Sequence, residues 1–203
     1  MAPAFRNGRD YGGTVLPLGP DWGGPLFLSQ YPFLGIDPRG LRDAYADYGQ
    51  QARAHALVNR HYCLQNPRGW AGYGPDCWGL TASDDPGGYV AHSPTDDTGT
   101  ITPTAALSSF PFVPDEAMPV LRHLHDDLGD RIWGDAGFVD AFCPTRDWVA
   151  ESRLAIDQGP IVIGLENHRS GLIWRLVSHR PEVQRGLQAL GFTAPYLALP
   201  RLA

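Results

Sequence analysis

Asp157-Gln-Gly-Pro-Ile-Val-Ile-Gly-Leu-Glu-Asn-His-Arg169 is the stretch on which the fold turns. Ile161-Val162-Ile163-Gly164-Leu165 is β-branched and apolar, and by composition it reads as a buried strand. A run this short does not separate a buried strand from a buried helical segment by periodicity alone. The segments around it read as helices. Pro114-Asp115-Glu116 opens one, with acids in the first turn and Met118, Leu121, Leu124 and Leu128 along one face, and Gly129 ends it. From about Ala44 to Asn66 the chain is rich in Ala, Gln and Arg without Pro, which predicts a long helix. Pro181 and Glu182 start another within 178–190, and Gly191 stops it. Weaker helical signals cover Leu26–Leu34, Thr102–Phe110 and Trp148–Ile156. Residues 1–23 read as an irregular lead-in and Trp133–Trp148 as a loop.

The composition is that of a folded chain. Of 203 residues, 43% are hydrophobic and 19% charged, with a net charge of −6. The acidic balance and the lack of basic runs argue against a nucleic-acid partner. No apolar window reaches bilayer length, and no signal peptide is visible at the start, which leaves location open. Cys63, Cys77 and Cys143 are odd in number and widely spaced, and His123 and His125 point to different helix faces, so no metal site or cofactor is expected.

Residues 67–89 form a Gly- and Pro-rich loop that nevertheless carries Trp70, Tyr73, Trp78 and Tyr89 among Asp76, Thr81, Ser83, Asp84 and Asp85. Aromatic faces interleaved with short hydrogen-bonding side chains suit a sugar ring, whose C–H faces pack on π systems while its hydroxyls seek polar partners. The same aromatics could instead plug the core beneath the loop. Asp84-Asp85-Pro-Gly-Gly also has strong turn chemistry whatever its function.

Seven motifs then occur in order: Asp37-x-Arg-Gly-Leu-Arg-Asp, Tyr62-Cys-x-x-Asn-Pro, Tyr73-Gly-Pro-Asp-Cys-Trp-Gly-Leu-Thr-Ala-Ser-Asp, Thr102-Pro-Thr-Ala-Ala, Gly137-Phe-Val-Asp-Ala-Phe, Ile156-Asp-Gln-Gly-Pro and Glu166-Asn-His-Arg-Ser-Gly-Leu-Ile-Trp. Together they resemble the glycoamylase-like domain family, which includes endo-β-1,2-glucanases and a domain of cyclic β-1,2-glucan synthases. The likeness runs from about Gly13 to Phe192. Pro38, Cys143 and His168 depart from its usual pattern.

The resemblance implies an all-α, (α/α)6-toroid fold with long cleft loops, and so turns Gln158–Arg169 into an inner helix. The helix pairs then read as three inner–outer hairpins, about 24–66, 101–129 and 157–190, or half a ring. On this reading 1–203 is one glycoamylase-like domain, with 24–192 helical and 193–203 a tail. The implied substrate is an oligo- or polysaccharide of the β-1,2-glucan type, cleaved by carboxylate acid/base catalysis. In relatives several catalytic acids lie in an N-terminal half, so a second chain or a second copy would complete the site. A chain lacking that half could also be a non-catalytic module that binds glucan. The exposed flank of a half ring predicts association.

Among carboxylates Asp157 stands first, as a catalytic group, as an N-cap, or as both. Its place at a helix N-terminus predicts an ionised carboxylate. Asp84 is the second catalytic candidate. Trp78, Thr81, Tyr89, Arg39, Asp43, Asp140 and Gln158 are the candidate substrate contacts, although Arg39, Arg42, Asp37 and Asp43 could equally be a salt-bridged scaffold. Glu166, nine residues beyond Asp157 and so roughly 13 Å along a helix, is expected to brace the interior.

Overall fold

The computed structural model describes residues 5–197. Helices dominate, with four small two-stranded sheets between them, so the all-α expectation is corrected in detail. In chain order the elements are β1 (Arg6–Tyr11), β2 (Thr14–Leu18), α1 (Phe27–Gln30), α2 (Tyr48–Gln65), β3 (Ala82–Asp85) and β4 (Gly88–Ala91). Then follow α3 (Pro103–Leu107), α4 (Pro114–Arg122), α5 (Gly129–Ile132), β5 (Trp133–Gly134), β6 (Gly137–Phe138), β7 (Phe142–Cys143) and β8 (Trp148–Val149). The chain closes with α6 (Ala155–Arg169), α7 (Leu172–Ser178) and α8 (Pro181–Ala189).

The region expected as an irregular lead-in is a β-hairpin from residue 6 to residue 18, paired antiparallel with a bulge. Of residues 148–156, expected as a helix, Trp148–Val149 form the short strand β8 against β7, and Ala155 and Ile156 open α6. The 133–148 loop carries one further small ladder, β5 against β6. A π-helical turn, His123–Asp127, continues α4. The far end of the tail, 198–203, lies outside the described residues, while Thr193 bridges to Arg42.

Helix α2 is set by its ends. Asp47 accepts from the Gln50 amide at the start, and Asn66 closes the helix in the left-handed region at φ 43°. Its burial is not confined to one stripe: Ala52, Ala56 and Val58 are buried, as are His55 and Asn59. Such a helix is wrapped by neighbours on several sides.

The strand expectation for 161–165 gives way to α6, the outcome implied by the family resemblance. The physical reason is tertiary. Gly164 lies so close to α3 that a Cβ there would stand 3.2 Å from the Ser108 carbonyl oxygen. Thr104 Oγ1 donates to the Asp157 carbonyl oxygen at 2.9 Å, which pins the first turn of α6 to the same helix. Packing thus outweighs the β-propensity of Ile161, Val162 and Ile163.

The main core gathers Trp78, Leu80, Ile101, Leu107, Phe110, Leu124, Phe138 and Ile161. Trp78 has 0% exposure and donates its indole N–H to the Glu116 carbonyl oxygen at 3.3 Å. Gly79 beside it has φ +131°, and a Cβ there would meet Ala105 Cβ at 2.8 Å. Gly79→Ala is therefore expected to destabilise the fold by about 2–4 kcal/mol through backbone strain and overpacking, measured as a shift in the chemical denaturation midpoint.

Candidate functional site

Three carboxyl groups from three segments converge at the N-terminal end of α6. Asp157 lies in the first turn of the helix, Asp140 between β6 and β7, and Asp84 in β3. Asp140 Oδ2 accepts the Asp84 backbone N–H at 2.6 Å. Ser152 donates its hydroxyl to Asp84 Oδ2, and Ser152 O accepts the Asp140 amide at 3.0 Å. Asp140 and Asp157 are within hydrogen-bonding contact of each other. Asp140 and Asp157 are 1% and 2% exposed, yet Asp140 Oδ1 and Asp157 Oδ2 meet no conventional donor.

The expectation of an ionised Asp157 meets an opposing effect. Burial, then the neighbouring Asp140, push its carboxyl up to about 7. Burial also raises Asp140, while the Asp84 amide acts in the opposite sense. The helix dipole, worth about 0.3–1 kcal/mol at an ordinary site, is outweighed by removal from water next to a second acid. Nor is Asp157 the N-cap: Leu154 holds that place, with no side-chain cap bond.

Two tyrosines flank the acids. Tyr31, in the turn Tyr31–Phe33 after α1, reaches the Asp157 carboxyl and donates to the Ile156 carbonyl oxygen at 3.2 Å. That carbonyl is free because Pro160, inside α6, has no N–H to offer it. Tyr31 is pushed up to about 12 by burial and then by Asp157. Tyr89 projects from β4 with 61% exposure, close enough to be raised by burial and by Asp157, Asp140 and Asp84. An open aromatic face beside a carboxyl cluster matches what a sugar ring requires.

The other candidates fall elsewhere. Trp78 is core, so its role as a stacking platform is withdrawn: no face of it reaches solvent. Thr81 is also buried, and its hydroxyl accepts the Phe27 amide at 3.0 Å. Arg39 pairs with Asp37 at 2.7 Å and stacks 4.8 Å over Trp174. Asp43 caps a turn through the Tyr45 and Ala46 amides and receives the Tyr48 hydroxyl. These two are scaffold rather than neighbours of the acids. Gln158 holds the Phe138 carbonyl oxygen at 2.8 Å, tying α6 to the strand that leads into Asp140. Glu166 pairs with Arg169 at 2.8 Å and with Ser170 at the far end of α6, so it braces that helix end and not an interior. Asp85 is anchored by Thr98 and Thr100 at 2.8 and 2.9 Å, which lower its carboxyl against the effect of burial.

Tyr31 and Ser152 were not singled out from the sequence. The one signal the sequence holds is Pro160, since a proline inside a helix frees a carbonyl that some donor must satisfy, though it does not say which.

The raised Asp157 carboxyl has a measurable consequence. Its folded value lies above the unfolded one, so its contribution to stability is present below about pH 4 and is lost as pH rises toward about 7. Buried His55, lowered to about 4 by desolvation, contributes in the opposite sense between about 4 and 6.5. The difference between Asp157→Asn and the parent chain isolates Asp157. The variant is expected to gain stability relative to the parent from pH 4 to pH 7, read from paired denaturant titrations.

Residues 10–181 match the glycoamylase family model, described as "Putative glucoamylase". An exo β-1,2-glucooligosaccharide sophorohydrolase (non-reducing end) of Parabacteroides distasonis is 42% identical over 188 residues, 92% of this chain and 26% of that protein. The endo-β-1,2-glucanase of Chitinophaga pinensis, solved with sophorotriose and glucose, superposes with a TM-score of 0.92 at 48% identity. That match covers 96% of this chain and 48% of that one. A Bacteroides uniformis protein whose structure carries the same glucoamylase description gives a TM-score of 0.95 at 57% identity over 97% of this chain and 48% of its own. The chain thus spans about half the length of these solved relatives and about a quarter of the sophorohydrolase. With seven ordered motifs, a family match over most of its length and near-complete superposition, this chain belongs to the glycoamylase family.

Proposed function

We propose that this chain forms one wall of the active cleft of a β-1,2-glucan-acting glycoside hydrolase, with Asp157 as a proton-transfer group. The observation that carries the reading is the buried Asp140–Asp157 pair beside the exposed ring of Tyr89. Relatives that act on β-1,2-linked glucans support the substrate class. A carboxyl held near neutrality by burial suits a group that gives up and regains a proton at working pH.

The pair acts as one unit. Acid and nucleophile stand roughly 5 Å apart in retaining glycosidases and roughly 6.5–9.5 Å apart in inverting ones. Carboxyls in hydrogen-bond contact are too close to lie on opposite sides of a scissile bond. The opposing carboxylate is therefore Asp84 or a group on the facing wall. In this reading the helix pairs make about half of an (α/α)6 ring, in keeping with the share of the solved relatives that the chain covers. The rest of the ring comes from further polypeptide or a second chain.

Tyr89 supplies a stacking surface for a glucose ring, and its exposure makes it dispensable for folding. Tyr89→Ala is expected to leave the melting temperature within about 2 °C of the parent, since exposed substitutions change stability by only about 0.5 kcal/mol. The same change is expected to weaken sophoro-oligosaccharide binding at least about fivefold, the size of a lost stacking contact, measured by calorimetry.

The direct test of the function is release of sophoro-oligosaccharides from linear β-1,2-glucan by the purified chain. Binding with no turnover would favour the second reading, a non-catalytic glucan-binding wall, which rests on the chain's half-length coverage of its solved relatives. Neither binding nor turnover would refute both.

A further inference from the structure

Two carboxyls in contact, each with a buried oxygen that meets no donor, need a proton between them. Asp140 Oδ1 and Asp157 Oδ2 are both in that condition, and the two groups are in contact. Ionised carboxylates only accept hydrogen bonds, so one of the two must carry the proton. The structure distinguishes them. Asp140 already receives the Asp84 amide on Oδ2, a donor that favours its ionised form. The proton therefore resides on Asp157. On its other side the Tyr31 hydroxyl, which donates to the carbonyl that Pro160 leaves free, stands close to the Asp157 carboxyl.

We propose that Asp140 and Tyr31 are opposed positioning residues for Asp157: the Asp140 carboxylate holds Asp157 protonated, and the Tyr31 hydroxyl orients it and favours proton release. Ser152 completes the support by holding Asp84, whose amide fixes Asp140. When Asp157 gives up its proton, the Tyr31 O–H can turn from the Ile156 carbonyl toward the new carboxylate. The titratable groups around Asp157 are Tyr31 from the turn after α1, Asp84 from β3, Tyr89 from β4 and Asp140 from the β6–β7 segment. His92, just beyond β4, acts on Asp140. That Asp157 transfers its proton to a glucan rests on the function proposed above; the pairing itself does not.

The test is a carbon-13 carboxyl NMR titration of the intact chain, with no substrate present. In the parent chain Asp157 is expected to titrate near 7, and the Asp140 carboxyl signal is expected to respond at the same midpoint. Asp140→Asn should lower the Asp157 midpoint by roughly 1–3 pH units, because a repelling carboxylate becomes a neutral amide. Tyr31→Phe should raise it, because a donor to the ionised form is lost. A purely structural role for both would change melting temperature without producing shifts of opposite sign. Shifts in the same direction, or no shift in folded variants, would overturn the proposal. Should Asp140→Asn fail to fold, the shared response of Asp140 and Asp157 in the parent chain decides, and independent titration of the two overturns it. Opposed shifts in a chain that neither binds nor cleaves β-1,2-glucan would support the pairing while refuting the glucan reading.

Discussion

Asp97→Ala is expected to destabilise the chain by about 4 kcal/mol or more, the largest stability effect of any single polar substitution considered. Asp97 is 3% exposed, and neutral donors surround its carboxylate. The Tyr62 hydroxyl and the Trp70 indole N–H reach Oδ2 at 3.0 and 2.9 Å, and the Tyr73 hydroxyl and the Gly99 amide reach Oδ1 at 2.6 and 3.0 Å. Truncation leaves all four donors buried or half-buried without an acceptor, each costing about 1–3 kcal/mol if no water replaces the oxygen. Tyr62 and Tyr73, both pushed upward by burial and by Asp97, would lose that electrostatic contribution. Chemical denaturation measures the loss directly. Asp97→Asn should cost less, because its amide oxygen still accepts from one pair of donors while its NH2 meets the other pair unfavourably. A change below about 1 kcal/mol for the alanine variant would show that the aromatic loop is not anchored through this residue.

The second large effect concerns activity. Asp157→Asn is expected to reduce release of sophoro-oligosaccharides from β-1,2-glucan by about 10²–10⁴-fold, the usual contribution of a positioned acid or base. Stability at pH 7 should be kept or raised, because the variant removes a buried carboxyl that ionises unfavourably there. Loss of kcat in a more stable protein is the signature of a site that trades stability for chemistry. Equal losses of activity and stability would instead assign Asp157 to the scaffold. Asn keeps the size of the side chain and the Thr104 bond to the backbone carbonyl, so the comparison is clean of packing changes.

Much of the helical frame was legible because capping chemistry is local. Asp47 before α2, Pro114 with its acids at the start of α4, and Gly191 beyond α8 act through neighbours a few residues away. The β-branched core of α6 was not legible as a helix from its own residues. Its conformation is decided by the close approach of Gly164 to Ser108, a contact between segments far apart in sequence. The family resemblance supplied what local propensity could not.

The aromatic loop shows the same division. Its Gly and Pro content announced a loop, but depth is a tertiary property. Trp70 and Tyr73 turn inward to Asp97, Trp78 enters the core, and only Tyr89 stays open beside the acids. In the sequence Asp157, Asp140 and Asp84 read as separate candidates. Their convergence depends on the Asp84 amide meeting Asp140 across 56 positions of sequence. Tyr31 reaches Ile156 across 125 positions, and nothing in its own Tyr-Pro-Phe context marks it.

The most direct test of the account is a titration of sophorotriose into the isotopically labelled chain, followed by amide and aromatic NMR. The perturbed signals are expected to cluster on Tyr89, Tyr31, Ser152 and the first turn of α6, and Tyr89→Ala is expected to weaken the response. Perturbations centred elsewhere, or a spectrum unchanged at saturating sugar, would contradict the placement of a glucan site at Asp157.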